Sequence, residues 1–452
     1  MIEANIDPWT GEVRPFPKMA PADIEAALAA SAAAFPAWSA LSLDERAAHL
    51  RRIAATLRTR REDLALTMTA EMGKLRREAL AEIEKSASAC EYYADNAARY
   101  LQEQAIGTEA ARSYVRYEPI GCVLAIMPWN FPVWQVFRFL APGLMAGNVA
   151  LLKHATNVPA CADAIAEVLA EAGLPAGVFG VLHINNQQAA GVIGDPRVQA
   201  VTLTGSERAG RSVAATAGSH LKKCVLELGG SDPFIVLDDA DLEKTVPVAV
   251  ASRFGNAGQT CIAAKRFIVT PGIADRFVRA FCEAAGQLQV GDPNDGATTL
   301  APMARADLRD ELHRQVMASV AQGARVLLGG QPGQGDTSYP ATILDAVAPG
   351  MLAWDEELFG PVASILRVAD EAEAVRVANA TRFGLGASVW TTDAHRGERL
   401  ARRIQAGACF VNSLVKSDVR LPFGGTKASG FGRELAEHGI HEFTNIKTVY
   451  VA

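Results

Sequence analysis

Residues 123–132 read Val-Leu-Ala-Ile-Met-Pro-Trp-Asn-Phe-Pro. The first five are an apolar run closed by a proline, the pattern of a strand buried on both faces. Moving outward, VALLK at 149–153, VFGVLH at 178–183 and AVTLTG at 200–205 repeat that pattern. The segments 133–146, 159–172 and 206–217 lie between or after these runs and read as helices. Strands alternating with helices predict an α/β fold built on a parallel sheet. A second strand–helix series starts at FIVLDD, residues 234–239, and runs to about 428. Upstream, residues 20–104 are rich in Ala, Glu and Arg at helical spacing, with Leu41-Ser42-Leu43-Asp44 opening a long helix. Residues 114–118 and 447–451 alternate like strands, and GQPGQGDT at 330–337 reads as a surface loop.

Bulk properties narrow the classes. A chain of 452 residues that is 49% hydrophobic has room for about three domain-sized units. A net charge of −6 argues against nucleic acid as the main partner, which needs a basic face. Residues 26–43 carry no charge, but their alanines, serines and central Pro36 predict a broken pair of helices rather than a membrane span. Glu3, Asp7 and Glu12 are unlike a secretory leader. The seven cysteines contain no CxxC pair, which fits a reduced, cytoplasmic setting. No His/Cys cluster has metal-ligand spacing, so no metal is expected.

Three segments carry chemistry. Gly255-Asn256-Ala257-Gly258-Gln259-Thr260-Cys261 sets a thiol on a bend of small residues, with Lys265 and Arg266 nearby to favour the thiolate. Glu227 lies in a strand-to-turn segment, either as a base or as a paired structural carboxylate. Asn130 sits between two prolines, as an oxyanion donor or as the cap of a helix starting at Pro132. Nucleophile, base and neutral donor are the parts of covalent catalysis on a carbonyl. Residues 205–212 follow a strand and miss a P-loop by Arg211 in place of Lys, and FIVLDD imitates the acidic strand of an ATPase. That raises a nucleotide hydrolase as a distant alternative, although Arg replaces the P-loop lysine poorly. The alternative use of the same glycine turn is a helix N-terminus that holds a pyrophosphate. Asp238 and Asp239 then read as a helix cap and a solvated turn.

PWNFP (128–132), LLK (151–153), TGS (204–206), ELGG (227–230) and GQTC (258–261) occur in that order. EELFGP (356–361) and PFGGTKASGFGRE (422–434) follow. Together they resemble the aldehyde dehydrogenase superfamily along essentially the whole chain. Within it, LLKHA, the stretch 222–243 and the short amino terminus resemble the succinate-semialdehyde dehydrogenases that use NAD(P).

The resemblance implies a Rossmann-like cofactor domain (1–103 and 120–228), an α/β catalytic domain (229–428) and a small β arm (104–119 and 440–452). The arm crosses to a neighbouring subunit, giving a homodimer or homotetramer. It implies Cys261 as nucleophile, Glu227 as general base and Asn130, with the Cys261 N–H, as oxyanion donor. Gly205 and Ser206 would hold the dinucleotide phosphates, Lys153 the adenosine ribose, Glu357 the nicotinamide ribose, and Phe359 the nicotinamide ring. Trp129 and Leu228 fall in the same cofactor set. NAD-specific relatives carry a carboxylate where this chain has Thr156, so NADP is accepted and the preference between the two stays open. On the helix after Phe131, Gln135 and Arg138 share its face, and Arg138 suits a substrate carboxylate unless it serves as a salt bridge. Ser417 faces the same pocket, with Arg420 as a second candidate. Succinate semialdehyde is the expected substrate, and glutarate semialdehyde the nearest alternative. Ala263 stands where some relatives have a second cysteine, so no local disulfide is expected.

Overall fold

The computed structural model describes residues 2–452. Two mainly parallel sheets dominate it. In the first, the strand Cys122–Met127 lies between Val149–His154 and Val198–Thr204, flanked by Phe179–Val181 on one side and Lys223–Glu227 on the other. All six residues of Val149–His154 are buried, as the continuous apolar run requires. The chain adds strands first to one side of Cys122–Met127 and then to the other, so the strand order reverses between that strand and its parallel neighbour Val198–Thr204. A crevice at the carboxyl ends of these two strands is where such sheets bind ligands.

The second sheet orders Arg325–Leu328, Thr342–Asp345, Val362–Arg367, Ala264–Val269, Asp232–Val236, Gly386–Trp390 and Ala408–Val411, with only the first antiparallel to its neighbour. The chain then returns to the first sheet. Gly430–Phe431 pairs antiparallel with the end of Lys223–Glu227, setting Gly430 opposite Glu227. That return carries the 422–434 motif across the gap between the sheets.

The two alternating segments at 114–118 and 447–451 are partners. Thr444–Val451 pairs antiparallel with Arg112–Pro119 along eight residues, and Gln104–Ala105 adds a third short strand. The helix Leu43–Thr59 starts with a capping box between Ser42 and Glu45, as its sequence predicts. It packs with Trp134–Met145 on the 25-residue helix Arg76–Tyr100.

Two expectations are corrected here. The Ala-rich segment forms one continuous helix, Pro21–Ser39, with Pro36 inside it. Pro36 lies in the last turn: its missing N–H forfeits one bond, to the Ala32 carbonyl, but the helix ends three residues later and the Pro36 carbonyl still accepts from Ala40 N at 3.2 Å. Asp238 and Asp239 sit on a turn, as expected, but neither caps a helix. Asp239 accepts from Thr391 and Thr392, both carboxylates pair with Arg396, and Asp241 caps Leu242–Phe254 instead. Among the described residues no helix is long and apolar enough to cross a membrane.

Candidate active site

The approach to Cys261 is a backbone under constraint. Asn256 (φ 54°), Ala257 (φ 52°) and Gly258 (φ 68°) are three consecutive residues in the left-handed region. Two of them carry a Cβ, a conformation that persists only where the surroundings enforce it. Glu78 Oε1 accepts from Asn256 N at 3.0 Å, and Arg253, fully buried, donates to Gly258 O at 2.7 Å. Beyond the bend, Lys265 Nζ donates to Cys261 O at 2.7 Å and to Thr260 O at 3.0 Å. The thiol is thereby held at one end of a cavity of about 340 Å³.

Of the two cations expected to favour the thiolate, Lys265 does lower the Cys261 pKa, while Arg266 is engaged elsewhere. Arg266 is buried on the carbonyls of Ser231, Val377 and Ala378. Lys265 holds backbone and pairs with Glu357 at 3.1 Å. Burial outweighs the nearby positive charges of Arg138 and Lys265 and pushes the Cys261 thiol up to about 12.

Asn130 does not cap a helix. The following helix is Trp134–Met145, and the Glu82 carboxylate takes the capping role, accepting from Val133 N and Trp134 N at 2.9 Å each. Asn130 is buried, and its Nδ2 donates to Gln259 O at 2.9 Å, which ties the 128–132 loop to the nucleophile loop. Asn130 O accepts from Lys74 Nζ and Asn256 Nδ2, a second tie between the same loops. A primary amide has two N–H bonds, so one remains beyond the bond to Gln259 O. His154 fixes the loop from behind through the Pro132 carbonyl at 2.9 Å, and its burial lowers its pKa to about 4, keeping the ring neutral.

Glu227 is 2% exposed, and neither of its oxygens has a partner among the described residues. It is therefore not the paired strand carboxylate that was the alternative. Burial, and then the charge of Glu434, raise its pKa well above the ordinary value. Its Oε1 lies against Gly424, where an added Cβ would stand 2.7 Å from it. Glu434 itself ion-pairs with Arg138. Arg138 is thus the one charge that both Cys261 and Glu227 feel.

Cys261, Phe131, Gln135, Arg138 and Ser417 all line the same cavity. Asn130 and Glu227 are not among the residues that line it. Arg138 is 2% exposed, is ion-paired with Glu434 and donates to Thr204 Oγ1 at 3.1 Å, so the salt-bridge alternative holds alongside its place on the cavity. Arg420 is corrected: it is exposed and forked onto Asp418 at 2.8 and 2.6 Å, away from the cavity. Sequence reasoning missed Lys85, Glu78 and Glu434. Only the E that closes the 422–434 motif was visible, and Lys85 lies in no motif.

A second cavity, of about 460 Å³, opens beside Ser206, Gly229 and Glu357, with Arg208, Arg211 and Arg382 around it. Ser206 caps the helix Glu207–Ser219 and leaves that helix's N-terminal N–H groups facing outward. The arrangement fits a dinucleotide: a helix N-terminus for the pyrophosphate, with Glu357 at the far end. The carboxylate of Glu357 accepts from Gly230 N at 3.0 Å, packs where Gly229 leaves no room for a Cβ, and is fixed by Lys265. Trp129 and Phe359 meet edge to face at 5.8 Å, and Leu228 fills the space above Gly210. Lys153 is buried at its strand end. Thr156 is exposed and borders a different cavity, beside residues 4–11 and 304–307. The P-loop alternative fails on topology. Residues 205–212 follow a strand of the first sheet, FIVLDD lies in the second, and Arg211 is paired with Glu207.

The fold and this site define an enzyme of carbonyl oxidation, and the model of the aldehyde dehydrogenase family matches residues 3–449: the chain belongs to that family. It is 50% identical over 448 residues to the succinate semialdehyde dehydrogenase Sad of Escherichia coli strain K12, named for NAD(P)+, covering 99% of this chain and 97% of that one. Among solved structures, it is similar to succinic semialdehyde dehydrogenase from Streptococcus pyogenes in complex with NADP+. The TM-score is 0.97, with 38% identity and 99% of each chain covered. An NAD-dependent aldehyde dehydrogenase from Sinorhizobium meliloti matches at TM-score 0.97 and 35% identity, over 100% of this chain and 91% of that one.

Proposed function

We propose that this chain oxidises succinate semialdehyde to succinate with NAD or NADP. The observation that carries the reading is a cavity that begins at Cys261 and is lined by cationic and hydroxyl groups, Arg138 and Ser417 among them. A simple aldehyde has no use for them. Relatives named for this substrate support it.

Cys261 Sγ adds to the aldehyde carbon and forms a hemithioacetal. The free N–H of the Asn130 amide and the Cys261 N–H stabilise the oxyanion. The nicotinamide, when bound, supplies the hydride acceptor. Gly205, Ser206 and the start of Glu207–Ser219 would hold its phosphates, Glu357 its ribose, and Trp129 and Phe359 would flank it. The adduct left on Cys261 is a thioester, and Glu227 activates water to release the acid. With the thiol up near 12, Cys261 needs a proton acceptor during attack, and Glu227 is the base at hand once it has lost its own proton.

The cofactor domain comprises residues 1–103 and 120–228 and the catalytic domain 229–428. The segments 104–119 and 440–452 form the arm that meets a neighbouring subunit in a homodimer or homotetramer. The exposed Ile106, Ile446, Tyr450 and Val451 on those segments favour that use. The enzyme works in the cytoplasm.

Initial rates with succinate semialdehyde, glutarate semialdehyde and acetaldehyde, with NAD and with NADP, test the substrate. Carboxylated aldehydes should exceed acetaldehyde in kcat/KM, with succinate semialdehyde first. Acetaldehyde as the best substrate refutes the reading, and glutarate semialdehyde as the best transfers it to that sister activity.

A further inference from the structure

We infer that Lys85 is the specificity-determining cation of the cavity, binding the distal carboxylate of the aldehyde together with Ser417. The inference deepens the proposed function and rests on its claim that the substrate carries a carboxylate.

Lys85 lies on the helix Arg76–Tyr100, far in sequence from every motif. Its Nζ reaches the Ser417 hydroxyl at 2.6 Å, sits 4.1 Å above the Trp134 ring centroid, and lines the same cavity as Cys261. The other cations near the thiol are already engaged. Arg138 is paired with Glu434, Lys74 with Glu82, and Lys265 with Glu357. Arg253 and Arg266 donate to backbone carbonyls. Lys85 alone of these faces the cavity with a neutral hydroxyl and an aromatic face as its partners, and no carboxylate lies within ion-pair distance among the described residues; Lys416 also lines the cavity without such a carboxylate, but it is exposed, whereas Lys85 is half-buried.

The nearby acids do not fill that place. Glu82 spends one oxygen on Lys74 and the other on Val133 N and Trp134 N. Asp418 is forked by Arg420. Glu78 accepts from Asn256 N, and its burial raises its pKa toward the neutral form. A half-buried ammonium without a counter-charge is destabilised, and burial lowers its pKa to about 8. A ligand carboxylate entering the cavity removes that penalty. The hydrogen-bond direction helps: Lys85 donates to Ser417 Oγ, which leaves the Ser417 O–H and the remaining Lys85 N–H bonds to donate to one carboxylate. Phe131, Trp134 and Phe423 supply apolar wall for the methylenes between the two ends.

The test is the ratio of kcat/KM for succinate semialdehyde to kcat/KM for butyraldehyde, which has the same chain length and no charge. In Lys85→Met this ratio should fall roughly ten- to a hundredfold, mainly through KM for the semialdehyde. Lys85→Gln, which keeps a donor to Ser417 and drops the charge, should show the same fall, and Lys85→Arg should recover most of it. A wild-type ratio favouring the semialdehyde that is unchanged in either folded neutral variant overturns the assignment and leaves the proposed function standing. A wild type that prefers butyraldehyde overturns both.

Discussion

Replacing Gly258 with alanine tests whether the left-handed bend before Cys261 is structurally enforced. At φ +68° an added Cβ costs about 1–2 kcal/mol. The methyl would also overlap Arg253 Nη2 and the Gly360 carbonyl. Neither can retreat cheaply: Arg253 is fully buried and donates to Gly258 O and, at 3.2 Å, to Ala264 O. Such overpacking adds about 1–3 kcal/mol, for a sum of roughly 2–5 kcal/mol. Gly350→Ala separates the two terms, because Gly350 has φ +89° with nothing within 4 Å of an added Cβ. It should show the conformational cost alone. Denaturant midpoints of both variants give the stabilities, and kcat reports the thiol's placement. Only Gln259 and Thr260 separate Gly258 from Cys261, and a displacement near 1 Å there is worth about a hundredfold in rate. Gly258→Ala should therefore lose more stability than Gly350→Ala, and should alone lose turnover. Equal effects, or a Gly258→Ala enzyme with wild-type kcat, would refute the enforced-bend argument.

Glu227→Gln should abolish thioester hydrolysis and raise the melting temperature over wild type increasingly as pH rises. The folded chain binds the Glu227 proton more tightly than the unfolded chain, so that group's contribution is complete below about pH 4.3 and lost as pH passes its raised folded value. A melting difference independent of pH would count against it. Arg138→Met should destabilise by about 3–5 kcal/mol by leaving Glu434 buried and unpaired, and adding Glu434→Gln should restore most of that loss. Additive losses in a double-mutant cycle would contradict this coupling. Inactivation by iodoacetamide should climb roughly tenfold per pH unit from 7 to 10, because a thiol near 12 stays mostly protonated there. A plateau by pH 8 would show an activated thiolate instead.

The sheet and its helices were legible because burial on both faces forces long apolar runs. Those at 123–127, 149–153 and 200–205 became neighbouring parallel strands. The arm strands were legible for the opposite reason, a clean alternation at 114–118 and 447–451. Pro36 misled because a proline's effect depends on how near the helix end it falls, which periodicity does not give. Arg266 misled because adjacency in sequence says nothing of direction. On a buried strand successive side chains point to opposite faces, so Lys265 acts on Cys261 while Arg266 is used up on backbone carbonyls.

What stayed hidden at the site was its charge arrangement, and the reason is topological. Arg138 meets Glu434 only because the chain, after finishing the second sheet, returns to pair Gly430 with Glu227 on the first. A contact across some 300 residues leaves no local pattern in one sequence. That return strand therefore does two things at once. It brings Glu434 close enough to hold the Glu227 proton, and it binds the guanidinium that sequence alone offers to the substrate. With Arg138 neutralised in this way, selection for an anionic substrate cannot rest on it alone. The requirement passes to a cation that meets no carboxylate, and the half-buried one on this cavity is Lys85.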